Sequence, residues 1–120
     1  MNGKWKGVII SESLGEPSLL NEFDVYKARI SKHEELVDDQ GNKGRWHLYW
    51  VYATDNQIET LSGQIKKGWY AHFWSGQKLL AVFPGKKFEF RAKDKSTWKE
   101  AVEYGKCLEI PEEQLDFPTE

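Results

Sequence analysis

The chain has 120 residues, 39% hydrophobic and 30% charged, with a net charge of −2. That balance excludes a disordered chain, and one domain over residues 1–120 is the expectation at this length. A single cysteine, Cys107, excludes an internal disulfide; the small negative charge excludes a uniformly basic DNA-coating protein but not a local basic patch. Near the start, only Gly7 to Ile10 are apolar before Glu12 intervenes, too short for a secretory signal or a spanning helix. Asn2 after the initiator methionine excludes N-myristoylation, so a cytoplasmic protein away from membranes is expected.

In chain order, residues 4–12 read as a strand through Val8, Ile9 and Ile10. Pro17 opens a turn over residues 17–23. Residues 24–32 alternate, with Tyr26, Ala28 and Ile30 on one face and Lys27, Arg29 and Ser31 on the other, the pattern of a half-buried strand. A polar loop over residues 38–44 joins it to a strand at 45–53, the two forming a long hairpin. The second strand is apolar on both faces, with Trp46, Leu48, Trp50 and Tyr52 against His47, Tyr49 and Val51, so it belongs inside a sheet. Thr54 and Gln57 have capping-box spacing, and Ile58, Leu61 and Ile65 make one helical stripe, closed by Lys66, Lys67 and Gly68.

Three more strands follow at 69–74, 78–83 and 86–92, separated by Ser75-Gly76 and Pro84-Gly85. Ser96 or Thr97 caps a last helix, Thr97 and Glu100 having capping-box spacing, with Trp98, Ala101, Val102, Gly105 and Leu108 as its buried stripe. Pro111 begins a final turn through Leu115, and the end is acidic. Each half therefore reads strand, strand, strand, helix. The expected fold is α+β, a mainly antiparallel sheet with both helices on one face.

Charge is segregated. Residues 1–63 carry 7 basic and 10 acidic groups; residues 64–99 carry 9 basic groups against Glu89 and Asp94; beyond 99, Lys106 stands against seven acids. The basic block and the acidic tail either attract each other or face water, or the block forms an anion-binding face. Lys87, Arg91 and Lys93 are the candidate anion-binding residues.

Aromatic residues crowd two strands: Trp46, Trp50, Trp69, Tyr70, Phe73 and Trp74. Alternation sends Trp69, Ala71 and Phe73 one way and Tyr70, His72 and Trp74 the other. One set serves as core beneath the helices. The other is either covered, by a long loop or a homodimer, or left as a cleft or partner surface rimmed by Tyr70, His72 and Trp74, with His47 and Trp50 beside it.

No dinucleotide fingerprint, phosphate loop or nucleophile elbow occurs; Pro84-Gly85-Lys86-Lys87 lacks the Ser/Thr and the helix a phosphate loop needs. Three histidines and one cysteine have no metal-ligand spacing, so neither metal nor cofactor is expected. Cys107 in the last turn of a helix sits at the negative dipole end, which disfavours a thiolate.

The strings Lys4-Trp5-Lys6-Gly7-Val8-Ile9-Ile10-Ser11-Glu12-Ser13-Leu14, Gly68-Trp69-Tyr70-Ala71-His72-Phe73-Trp74, Asp94-Lys95-Ser96-Thr97-Trp98-Lys99 and Ile110-Pro111-Glu112-Glu113-Gln114-Leu115-Asp116-Phe117 stand out together. The chain resembles, over nearly its whole length, a small family of uncharacterised prokaryotic proteins of about 120 residues. The resemblance implies a free-standing cytoplasmic domain and carries no functional residue.

Three functions stay open. The first is a non-enzymatic binding or interaction module whose aromatic sheet face docks a protein or a planar small molecule. The second is a small enzyme using His72 or His47 with a carboxylate such as Glu12 or Glu89. The third is single-stranded nucleic-acid binding by Lys87, Arg91 and Lys93 with Trp74 or Tyr70 stacking bases, which requires cations and rings on one face. Alternation instead puts Phe88 and Phe90 opposite Lys87 and Arg91.

Overall fold

The computed structural model describes residues 4–37 and 40–117; Asp38 and Asp39, which open the expected polar loop, lie outside them. In chain order the elements are β1 (Trp5–Ile10), β2 (Asp24–Ile30), β3 (Glu35–Leu36), β4 (Lys43–Gly44), β5 (His47–Ala53), α1 (Asp55–Ser62), β6 (Ala71–Ser75), β7 (Lys78–Phe83), β8 (Lys86–Arg91) and α2 (Lys99–Cys107). Six strands form one antiparallel sheet, ordered β2-β5-β1-β6-β7-β8. The short β3–β4 ladder sits inside the β2–β5 connection. The α+β class, the antiparallel pairing and the twice-repeated order of three sheet strands and a helix all match the sequence reading.

The helices do not share a face. In β7, Leu80 and Val82 enter one apolar cluster with Ile58 and Leu61 of α1; Leu79, Ala81 and Phe83 enter the other with Ala101 of α2. Successive side chains of a strand point to opposite faces, so α1 and α2 lie on opposite sides of the sheet. The reason is in β6, where Ala71, His72, Phe73 and Trp74 are all buried. A strand apolar on both faces must be covered on both.

On the α1 side the core is Trp5, Ile9, Val51, Phe73, Leu80 and Val82, with Leu14 and Phe23 from the β1–β2 connection. Burying Ile58 and Leu61 completely contributes about 1.5–3 kcal/mol each. Gly7 pairs with both Val51 and Phe73; a Cβ there would meet the Phe73 ring at 2.1 Å, so only glycine lets that ring lie on the β1 backbone. On the α2 side, residues 110–117 run as a strap over the sheet and bury Ile110, Leu115 and Phe117. Gly105 of α2 lets the strap approach, since a Cβ there would meet Leu115 at 2.5 Å.

Local expectations meet mixed outcomes. Thr54 and Gln57 form the full capping box of α1, worth about 1 kcal/mol. The helix stops at Ser62, however, before Ile65. Gly63 and the bridge between Leu14 and Ile65 end it: the Gln64 carbonyl accepts from Gly15 N, and Lys66 N donates to Ser13 O. Thr97 does not cap α2. A 3-10 turn, Lys95–Trp98, precedes the helix, and Asp94 caps that turn by accepting from Ser96 N. The Thr97 hydroxyl instead accepts from Arg91 N at 2.9 Å and donates to Asp94 O at 2.6 Å.

The expected half-buried strand over 24–32 is an exposed edge strand with a bulge. Val25 pairs with Val51, but the next pair is Lys27 with Trp50, so Tyr26 is the extra residue. Alternation would place Tyr26 with Ala28 and Ile30. The bulge turns it to the α2 side, where its ring lies 4.7 Å from that of Tyr52. Tyr52 is in register with Lys6 and, through it, with Trp74, which fixes the side of the sheet.

Candidate functional site

Among the described residues, the strap packs over β6, β7 and β8 and not over the β2 edge. Beside the first residues of the strap, a cleft of about 570 Å³ opens on the α2 side. Its floor is Val8 and Ile10 of β1 with His72 of β6. Trp69 and Tyr70, which lead into β6, form one wall; Ile110, Pro111 and Gln114 of the strap form another; Leu36 and Trp46 close a third side. The lining is mostly apolar, with Lys67, Glu35 and Glu109 as charged groups.

Each wall has a local cause. Gly68 adopts φ +88, a conformation that glycine tolerates best, and turns the chain between the end of α1 and β6. Trp69 then stands beside Trp46, their rings 5.3 Å apart. Trp46 is oriented by donating its indole N–H to Leu36 O at 3.1 Å. The Tyr70 hydroxyl donates to the backbone carbonyls of Gln114 and Asp116, the latter at 3.2 Å, and so pins the strap to the sheet. Burial pushes the Tyr70 phenol well above its ordinary value; the Asp116 charge adds to the rise and the hydrogen bond to its backbone opposes it.

The strap is launched by a strained turn. Ile110 N bonds Gly105 O and Glu109 N bonds Lys106 O, the paired bonds of a Schellman motif at the end of α2. The left-handed position of that motif is held by Glu109, at φ 66, where glycine is usual. A side chain there costs about 1 kcal/mol or more. Glu109 is a wall of the cleft.

The sequence-predicted residues divide. Tyr70 and His72 line the cleft. Trp74 and Trp50 do not: at 6% and 8% exposure they are core on the α2 side, so the expected rim of Tyr70, His72 and Trp74 is broken. His72 is itself only 7% exposed, its ring 5.8 Å from Phe117 and 5.5 Å from Trp74. Of the alternatives open for this aromatic face, the structure shows a cover: the strap, whose Phe117 touches Tyr70, His72, Phe90 and Trp98.

His47 is not part of the cleft lining. It is half-exposed, with Nδ1 2.7 Å from Glu12 Oε2, while its backbone N–H donates to Glu12 Oε1 at 2.8 Å. An ionised carboxylate only accepts, so with Glu12 ionised Nδ1 carries the ring proton. The pair ties the residues after β1 to the start of β5.

The candidate anion-binding residues do not converge with rings. Lys87 and Arg91 lie in register with Val82 and Lys78, on the α1 side of β8, while Phe88 and Phe90 pack on the α2 side. Lys87 pairs with Glu59 of α1, and Lys93 is exposed beyond the strand. Among the described residues no cluster of three His, Cys, Asp or Glu side chains could hold a metal, and no helix is long and apolar enough to cross a membrane. Sequence reasoning did not select Ile10, Leu36, Lys67 or the strap residues as site residues; Pro111 and the left-handed position at Glu109 depend on how the chain leaves α2.

Compared with known proteins, the chain matches no family model, no curated protein and no solved structure.

Proposed function

We propose that this protein is a non-enzymatic binding module whose cleft takes a small, planar, largely apolar molecule. The cleft itself carries the reading: about 570 Å³, within the roughly 300–1,000 Å³ range of ligand sites, floored by aliphatic side chains and walled by aromatic ones. Trp46 and Trp69 offer rings for a flat ligand to stack on, and the Lys67 ammonium at the wall suits an anionic substituent. The enzyme reading draws on the carboxylate-oriented His47, but that histidine is absent from the cleft lining, and the cleft's own histidine, His72, is packed among rings.

A titration with 8-anilinonaphthalene-1-sulfonate, a flat apolar probe with one negative charge, tests the reading. Saturable one-site binding is expected, with quenching of tryptophan emission. Leu36 is 55% exposed, so Leu36→Lys leaves the fold intact and narrows the cleft. Binding that is absent in the native protein, or equal in this variant, overturns the proposal.

A further inference from the structure

Among the described residues, the strap leaves exposed side chains on the α2 side at the β2 edge and at Lys6 of β1. The side chains there are unlike those of the cleft. Lys6 of β1 lies 5.8 Å from the Tyr52 ring and 6.0 Å from the Tyr26 ring. Lys27 of β2 lies 4.5 Å over the Trp50 ring, and the Arg29 guanidinium 5.8 Å from it. Register confirms that they share a face: Lys6 pairs with Tyr52, and Lys27 with Trp50. Asp24, in register with Tyr52, is the acid beside these three cations. Tyr26 is 42% exposed, and Lys6 and Arg29 are exposed.

We propose that this patch is a binding surface for single-stranded nucleic acid, distinct from the cleft. Bases stack on Tyr26 and Tyr52; phosphates meet Lys6 on one flank and Lys27 and Arg29 on the other. The cations stand on β1 and β2 with the rings of β5 between them, so two charged margins lie about 10 Å apart around an aromatic strip. That is the combination by which single strands are held without base-specific hydrogen bonds.

The bulge at Tyr26 creates the combination. Without it, alternation would put Tyr26 on the other side, and the cations would have lost their exposed ring. Bulges that re-aim a side chain recur beside functional sites.

A second copy of the chain is a poorer occupant. Antiparallel pairing of two β2 edges about Ala28 would set Lys27 against the partner copy's Arg29, like charge on like. An acidic peptide satisfies the cations but brings no flat group to the exposed face of the Tyr26 ring.

The test is fluorescence anisotropy with labelled 12-nucleotide oligo-dT and oligo-U, at 50 mM and 200 mM salt. With three phosphate contacts, affinity is expected to fall about 20-fold between the two salts. Lys6→Glu and Arg29→Glu, both at exposed positions, are each expected to weaken binding about 10-fold, and Tyr26→Ala by a similar factor. Lys87→Glu, on the opposite face, and Leu36→Lys, in the cleft, are expected to leave it unchanged. The dT and U arms tell DNA from RNA. Absence of binding at 50 mM salt, equal loss with Lys87→Glu, full binding by Tyr26→Ala, or equally tight binding of poly-glutamate overturns the proposal. Loss with Leu36→Lys would place the nucleic acid in the cleft and overturn it as well.

Discussion

The two faces of the sheet are closed in different ways. On the α1 side the cover is built in sequence: the β1–β2 connection supplies Leu14 and Phe23, and α1 follows directly from β5 to supply Ile58 and Leu61. On the α2 side the cover is the end of the described chain, α2 and then the strap, which packs over β6 to β8 and not over the β2 edge. The first face is core at its centre, with Val25 and Ile30 exposed at the β2 edge. The second is part core, part cleft and part open surface. The difference teaches that alternation within the sheet does not set how far each face is covered: that depends on which later segments pack on it.

The comparison can be broken at its strongest points first. Phe73 on the α1 side and Phe117 on the α2 side are both fully buried, and truncating either to alanine is expected to cost about 3–5 kcal/mol. Only Phe117→Ala should also release the strap. Hydrogen exchange is the check: Phe73→Ala should raise exchange throughout the sheet, and Phe117→Ala should expose the amides of residues 110–117 beyond the global change. Equal exchange patterns would mean the strap is not a separate cover.

A smaller change sharpens the same contrast. Tyr70→Phe removes the hydroxyl that pins the strap and is expected to cost about 1 kcal/mol. The raised phenol gives this a pH signature. Below about pH 10, the ordinary phenol value, the folded and unfolded states are both protonated and the contribution is fully present. Above it, only the unfolded state ionises, so stability falls as pH rises. The native protein should lose more Tm between pH 9 and pH 10.5 than the phenylalanine variant, and parallel losses would contradict the strap's dependence on this hydroxyl.

The smallest expected effect is a gain. Glu109→Gly relieves a left-handed position and should stabilise the fold by about 1 kcal/mol. If Glu109 serves the cleft, the same variant should bind the naphthalene probe differently from the native chain. Unchanged stability in thermal unfolding would show that the turn is not strained.

Much of the fold was legible. Strand and helix periods follow from local spacing, and the Thr54–Gln57 box and the Gly68 turn are short-range chemistry written in adjacent residues. Alternation also puts Tyr70 and His72 on the side away from Phe73, where both line the cleft. What failed depends on parity and on distance along the chain. A helical stripe says that a helix is covered, not which sheet face it covers. One extra residue at Tyr26 reverses the face of everything before it in β2, and no residue type announces it. Trp50 and Trp74 looked available because nothing in their neighbourhood reveals that Lys27, Arg29 and a distant Phe117 pack around that side. Thr97 had the right spacing for a cap but was taken by Arg91 and Asp94.

The first strand of the chain is also the middle of the sheet. Val8 pairs with Trp50 on one side and His72 on the other, so one edge of β1 stays bare until residues 47–53 have been synthesised, and the other until residues 71–75 have followed. At ribosomal rates that wait lasts several seconds. Nothing nearby in sequence can shield it, and contacts so far apart make for slow folding. A newborn chain therefore spends its most vulnerable interval with its future centre exposed, and demand for chaperone protection should peak before β6 emerges and drop once it has docked.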